Sequence, residues 1–157
     1  MRPGFWLAVA SFVALIVAMP FVPAQPAPLM RGIALVLLCL AAVFVGLPVV
    51  QLRRHGAAPD GARFTETTAV AQHGLYAIVR HPQYLGFDLL AWGLATLALY
   101  WGTILPAIAL TIGISMHTRA EEDRLLARFG DAYRAYMRTV PRFGVITGLV
   151  RYLRRRG

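Results

Sequence analysis

"LLAWGLATLALYWGTILPAIALTIGISM", Leu89 to Met116, contains no charged residue. As one helix it would run about 42 Å at about 1.5 Å per residue, against a hydrocarbon layer of about 30 Å. Counted from Pro82 to Thr118, the stretch suits two short crossings, because Tyr100-Trp101-Gly102-Thr103 supplies interface aromatics and the glycine of a tight helical hairpin. A single long tilted helix is the alternative.

Towards the N-terminus, Phe5 to Val22 and Gly32 to Leu52 are also free of charge, and each is long enough to cross a bilayer. Gly46 and Pro48 offer a kink near the end of the second. The first also fits a signal peptide, with Arg2 ahead of the apolar run and Val22-Pro23-Ala24 as a cleavage sequence. The predicted fold is an all-α integral membrane protein forming a single domain over residues 1–157. Its spans lie near 5–22, 32–52, 82–100 and 102–118, followed by cytoplasmic amphipathic helices over 119–142 and a basic tail over 143–157.

Arginine placement gives the direction. Arg53, Arg54, Arg63 and Arg80 lie between spans two and three, and the other long basic region follows span four, whereas Pro23–Met30 and Tyr100–Thr103 carry no cation. By the positive-inside rule both basic regions are cytoplasmic, which places both termini inside, in a multi-pass inner-membrane protein.

Composition excludes several chemistries. At 58% hydrophobic over 157 residues the composition is unusual for a water-soluble domain of this length and points first to a membrane protein. All 16 basic residues are arginine, so lysine Schiff-base mechanisms are out. A lone cysteine, Cys39, rules out an internal disulfide and a cysteine metal cluster, and no metal site is expected. Serine occurs only at Ser11 and Ser115, within apolar runs, and neither a nucleophile elbow nor a P-loop exists. The net charge of +9 is carried by arginines flanking apolar segments, so it points to anionic phospholipid and not to nucleic acid.

Beyond His117 the composition turns polar. Leu125, Leu126, Phe129, Tyr133, Tyr136, Met137 and Val140 recur at steps of three and four, the pattern of an amphipathic helix. Gly130 interrupts it and Asp131 can cap a second piece, so two helices meet near Phe129-Gly130. Arg151 to Arg156 carries four arginines around Tyr152 and Leu153, a phospholipid-headgroup anchor by composition.

The residues able to do chemistry surround "AIVRHPQYLGFDLL", Ala77 to Leu90. Pro82 suits the first position of the third span. The unsatisfied N–H groups of that helix start, with Arg80 beside them, favour an anionic group. His81, Tyr84 and Asp88 follow at spacings of three and four on one face, which Trp92 continues. Arg80 also suits an interface arginine and His81 a cap. Asp88 is costly two turns inside a span unless it is paired, protonated or hydrated. In Glu121-Glu122-Asp123 the acids suit the helix dipole or a cation-binding site. Adjacent helical residues diverge by about 100°, so one glutamate enters a pocket while the other meets solvent or Arg119.

Gly74-Leu75-Tyr76, Arg80-His81-Pro82-Gln83-Tyr84-Leu85-Gly86 and Glu121-Glu122 through Phe129-Gly130, Tyr133, Tyr136 and Val140-Pro141 together resemble the isoprenylcysteine carboxyl methyltransferase and phospholipid N-methyltransferase superfamily. The resemblance covers roughly His73 to Arg142. It implies an S-adenosylmethionine-dependent membrane methyltransferase with a lipophilic or membrane-partitioned acceptor. It assigns His81, Tyr84, Glu121 and Glu122 to the cofactor, with Gly74 and Tyr76 shaping the approach. Arg80 favours the cofactor's carboxylate, an acid holds its ammonium and a tyrosine face receives the sulfonium. Asp88 or His81 suits an acceptor that arrives protonated, and Arg119 a carboxylate acceptor. Asp88 departs from the methyltransferase pattern. Related NADPH-dependent sterol and isoprenoid reductases often carry an acid near that position, but this chain lacks the cysteine and lysine of their tail block. A non-catalytic scaffold or transporter subunit is the third reading.

Overall fold

The computed structural model describes residues 3–21, 26–55, 72–155 and 157, and every regular element among them is helical. The helices are α1 (Pro3–Ala18), α2 (Pro28–His55), α3 (Pro82–Ala98), α4 (Trp101–Thr139) and α5 (Val145–Arg154), with single 3₁₀ turns at Met19–Phe21 and Gly74–Ala77. The cleavage-like Val22-Pro23-Ala24, the loop 56–71 with Arg63, and Arg156 lie outside the described residues.

Pro3–Phe21, Pro28–Gln51 and Trp101–Thr139 each contain a stretch long and apolar enough to cross a membrane. Their large side chains face outward on several sides, as Trp6, Val13, Leu35, Val36 and Ile112 do, which suits helices solvated by lipid. The chain is an all-α membrane protein. In α4 the apolar part ends at Thr118, since nine charged residues lie between Arg119 and Thr139. α3, with 17 residues, rises about 26 Å.

The chain forms two compact units, Met1–Val43 with Tyr84–Glu121, and Phe44–Gln83 with Glu122–Gly157. In the first, small residues let backbones approach, as at membrane helix interfaces generally. A Cβ on Gly113 of α4 would lie 2.7 Å from the Ala8 nitrogen of α1, and one on Gly93 of α3 2.8 Å from Leu38 of α2. The apolar run turns where its aromatics and glycine predicted. α3 stops at Ala98 and α4 starts at Trp101, with the Thr103 N–H and hydroxyl both donating to the Tyr100 carbonyl at 2.9 and 2.8 Å.

The second unit is built on the amphipathic face of α4. Tyr133, Tyr136 and Val140 are buried, with Leu125, Leu126, Phe129 and Met137 packed against them. Gly130 breaks α4 at φ 52, ψ −125, a left-handed conformation that glycine takes without a Cβ clash. No glycine or proline lies between Thr118 and Phe129, so the apolar part of α4 and its first polar turns form one continuous helix. Gly74 opens its turn at φ 60, where a side chain would also collide with Gln51. Gln51 Oε1 accepts the Leu75 N–H at 3.1 Å. The following segment, Ile78 to His81, is tied down at its cationic pair. Arg80 N–H donates to Pro141 O at 3.0 Å and His81 N–H to Arg142 O at 3.3 Å.

Candidate active site

Glu122 is the centre of the second unit. Only 2% exposed, it meets three cationic or potentially cationic side chains. Its Oε1 accepts from Arg80 Nη2 at 3.0 Å, His81 Nε2 at 3.1 Å and Arg142 Nε at 3.0 Å, while its Oε2 accepts from Arg142 Nη2. Arg142 therefore grips the carboxylate with two parallel donors. Burial by itself would raise the Glu122 pKa. The His81 and Arg142 hydrogen bonds and the Arg80 and Arg142 charges outweigh it and hold the carboxyl down at about 2.

With two guanidinium groups against one carboxylate, the cluster keeps an excess of positive charge. Arg80 Nη1 donates to Met137 O at 3.0 Å, whereas its Nε is buried with no hydrogen-bond partner among the described residues. Such a donor costs free energy unless a ligand or water takes it. Beside the cluster, Tyr136 O–H donates to Tyr76 O at 2.6 Å, fixing the Gly74–Ala77 turn, and the His81 and Phe143 rings lie 6.2 Å apart.

The first unit holds the other predicted residues. Tyr84 O meets His117 Nε2 at 3.1 Å, with the two rings 5.4 Å apart, and Phe5 packs on the same imidazole at 5.6 Å. Asp88 Oδ1 accepts the Thr111 hydroxyl at 2.6 Å, and Thr111 Oγ1 accepts the Trp92 indole N–H at 3.1 Å. Asp88 and Trp92, four residues apart on α3, thus converge on one residue of α4. Glu121, the last residue of this unit, has Oε2 buried without a partner among the described residues. Arg119 is exposed.

The structure gives His81, Tyr84 and Asp88 separate partners, Glu122, His117 and Thr111. Two of the residues that build these groups carry little signal in the sequence alone. Arg142 is one arginine among many in the tail, and Thr111 a hydroxyl in an apolar run. His117, the last residue before Thr118 and the polar part of α4, was the readable one, since a histidine ending an apolar stretch is uncommon there.

The family model described as phospholipid methyltransferase matches residues 29–132, well over half of the chain. The chain belongs to the phospholipid methyltransferase family. This member is 32% identical over 111 residues to a protein-S-isoprenylcysteine O-methyltransferase of Schizosaccharomyces pombe, covering 69% of this chain and 46% of that protein. It is 48% identical over 67 residues to methanethiol S-methyltransferase 2 of Bradyrhizobium diazoefficiens, covering 43% and 25%. To a methanethiol S-methyltransferase of Mycobacterium tuberculosis it is 44% identical over 80 residues, covering 51% and 32%. The chain spans about half the length, or less, of these curated relatives. No solved structure matches it. In this phospholipid methyltransferase family member, the matched segment takes in Arg80, His81, Glu121 and Glu122 and stops short of Arg142.

Proposed function

We propose that this protein is an S-adenosylmethionine-dependent membrane methyltransferase acting on a lipophilic, membrane-partitioned acceptor. The observation that carries the reading is the Arg80 Nε donor, buried beside a saturated Glu122 without a partner among the described residues. The amino-acid end of the cofactor needs an anion for its ammonium and a donor for its carboxylate. Arg80 Nε is a donor of that kind in the second unit and Glu121 Oε2 a carboxylate oxygen in the first, each buried without a partner among the described residues. The donor set therefore fits the cofactor's charges.

When bound, S-adenosylmethionine supplies a methyl group already activated on a sulfonium. The protein's share is binding and alignment in a dry site. Arg80 and the excess charge of the Glu122 cluster hold an anionic end, Glu121 holds an ammonium, and His81 and Glu122 keep Arg80 in place. Gly74 and Tyr76 shape the turn beside them, and the Tyr84 ring offers a face to a cation. On the acceptor side, Asp88 takes the proton of an acceptor that arrives neutral, such as a thiol, and Arg119 serves a carboxylate acceptor. The relatives' names include one acceptor of each kind, methanethiol and isoprenylcysteine, and the greater number of them are thiol S-methyltransferases. That favours the thiol and Asp88.

The topology proposed is four crossings with both termini in the cytoplasm, α3 being the fourth crossing beside the three long apolar helices. Epitope tags at either end that react in intact cells would contradict it. Titration of the purified protein with S-adenosylhomocysteine tests the cofactor. Binding at micromolar concentration is expected, and binding of NADPH in its place would assign the chain to the reductases.

A further inference from the structure

α5 presents one face to the second unit and leaves another bare. A side chain at Gly148 would collide with the Ile78 carbonyl oxygen, so the α5 backbone lies directly on the segment leading to Arg80. Arg155 Nη2 donates to Ala77 O at 3.2 Å on the same side. Away from that contact, Ile146 is 82% exposed, Leu153 59%, and Leu149 and Val150 43% each. At about 100° per residue these four fall within an arc of about 100°, opposite Gly148. Arg151 and Arg154 lie in the last turn, Arg155 follows, and no acidic residue occurs from Val145 to Arg155.

We propose that α5 is a membrane-surface helix that lays Ile146, Leu149, Val150 and Leu153 into the headgroup boundary of an anionic leaflet. A continuous apolar arc bordered by arginines is the composition of an in-plane helix, and its charge complements anionic lipid. A second copy is the poorer occupant. Pairing α5 with itself would bring two all-cationic rims together, in a chain whose net charge is already +9. Ten residues would bind a bilayer weakly alone. The membrane-embedded helices of the same chain hold α5 near the surface, so its docking is an intramolecular step. This inference rests on the membrane fold and is independent of methyl transfer.

The test places nitroxide labels on the full chain in lipid nanodiscs, at Ile146→Cys, Val150→Cys and Thr147→Cys, each with Cys39→Ser. Accessibility to oxygen and to a water-soluble nickel chelate is then compared in phosphatidylcholine discs and in discs containing phosphatidylglycerol. In the anionic discs, labels at 146 and 150 are expected to favour oxygen and the label at 147 the nickel chelate. Arg154→Gln should lower the ratio of docked to undocked helix about fivefold there and leave it unchanged in phosphatidylcholine. Nickel access at all three positions, or equal behaviour of the three, overturns the proposal. So does an Arg154→Gln variant that docks unchanged. Dipolar broadening between labels at 146 of two copies would replace the lipid with a self-association interface.

Discussion

Glu122 and Asp88 are both acids in helices of a largely apolar chain, and they are handled in opposite ways. Glu122 is surrounded by Arg80, His81 and Arg142. Asp88 is met by the Thr111 hydroxyl, itself held by Trp92, and among the described residues no cation pairs with it. A carboxylate locked among cations is committed as a charge and organises its surroundings. One held by a neutral donor keeps the freedom to exchange a proton with a third group. Under the proposed function the difference separates a positioning acid from an acid suited to chemistry.

Glu122→Gln attacks the first half of that contrast and should have the largest effect. It leaves Arg80 and Arg142 without their counter-charge, a loss of about 3–5 kcal/mol for a fully buried pair, less here because Arg142 is 29% exposed. Thermal unfolding in detergent measures it, and an unchanged midpoint would remove the organising role. The same charge sets a pH dependence. With the Glu122 pKa lowered from 4.5 to about 2, its stabilisation is complete above about pH 4.5 and disappears as pH falls towards 2. Wild-type unfolding should therefore become easier across that window, by more than the Glu122→Gln variant does.

Glu121→Gln sharpens the contrast between neighbours in the chain. Its stability should stay within about 0.5 kcal/mol of wild type, since its buried Oε2 has no partner among the described residues. Affinity for S-adenosylhomocysteine should fall about 10- to 100-fold, the worth of a charge-assisted hydrogen bond, when followed by calorimetry. Equal affinity in the two proteins would separate Glu121 from the cofactor.

Two further substitutions probe Asp88. Thr111→Val removes its donor and the indole's acceptor together, and should cost about 1–2 kcal/mol in unfolding experiments. Asp88→Asn keeps a hydrogen-bonding group and removes the proton acceptor. Turnover of a thiol should drop while S-adenosylhomocysteine affinity and the unfolding midpoint hold. If midpoint and turnover fall in proportion, the Asp88 group is a latch between α3 and α4 and nothing more.

The smallest expected effect belongs to Tyr84→Phe, which loses one hydrogen bond to His117 and keeps the ring contact. About 0.5–1.5 kcal/mol is expected, read from the same unfolding curves.

Much of the fold was legible in the sequence. Charge-free runs, the break at Gly130 and the three- and four-residue recurrence from Leu125 to Val140 are local patterns, and local patterns set helices and their buried faces. The candidate site was legible as a set of residue types. Its pairings were not, because His81 and Glu122 are separated by 41 positions and Tyr136 and Tyr76 by 60. No periodicity spans such distances. The spacing of His81, Tyr84 and Asp88 suggested one helical face, yet α3 begins at Pro82, after His81, and each side chain meets a different neighbour.

The sequence by itself determined an all-helical membrane chain, its hairpin at Tyr100–Thr103 and the residue types of the candidate site. Only the tertiary structure decided which glutamate is neutralised. Adjacent side chains on a helix diverge by about 100°, so the sequence can say that Glu121 and Glu122 differ in surroundings. Packing from distant segments selects Glu122 for the arginines and leaves Glu121 Oε2 without a partner among the described residues.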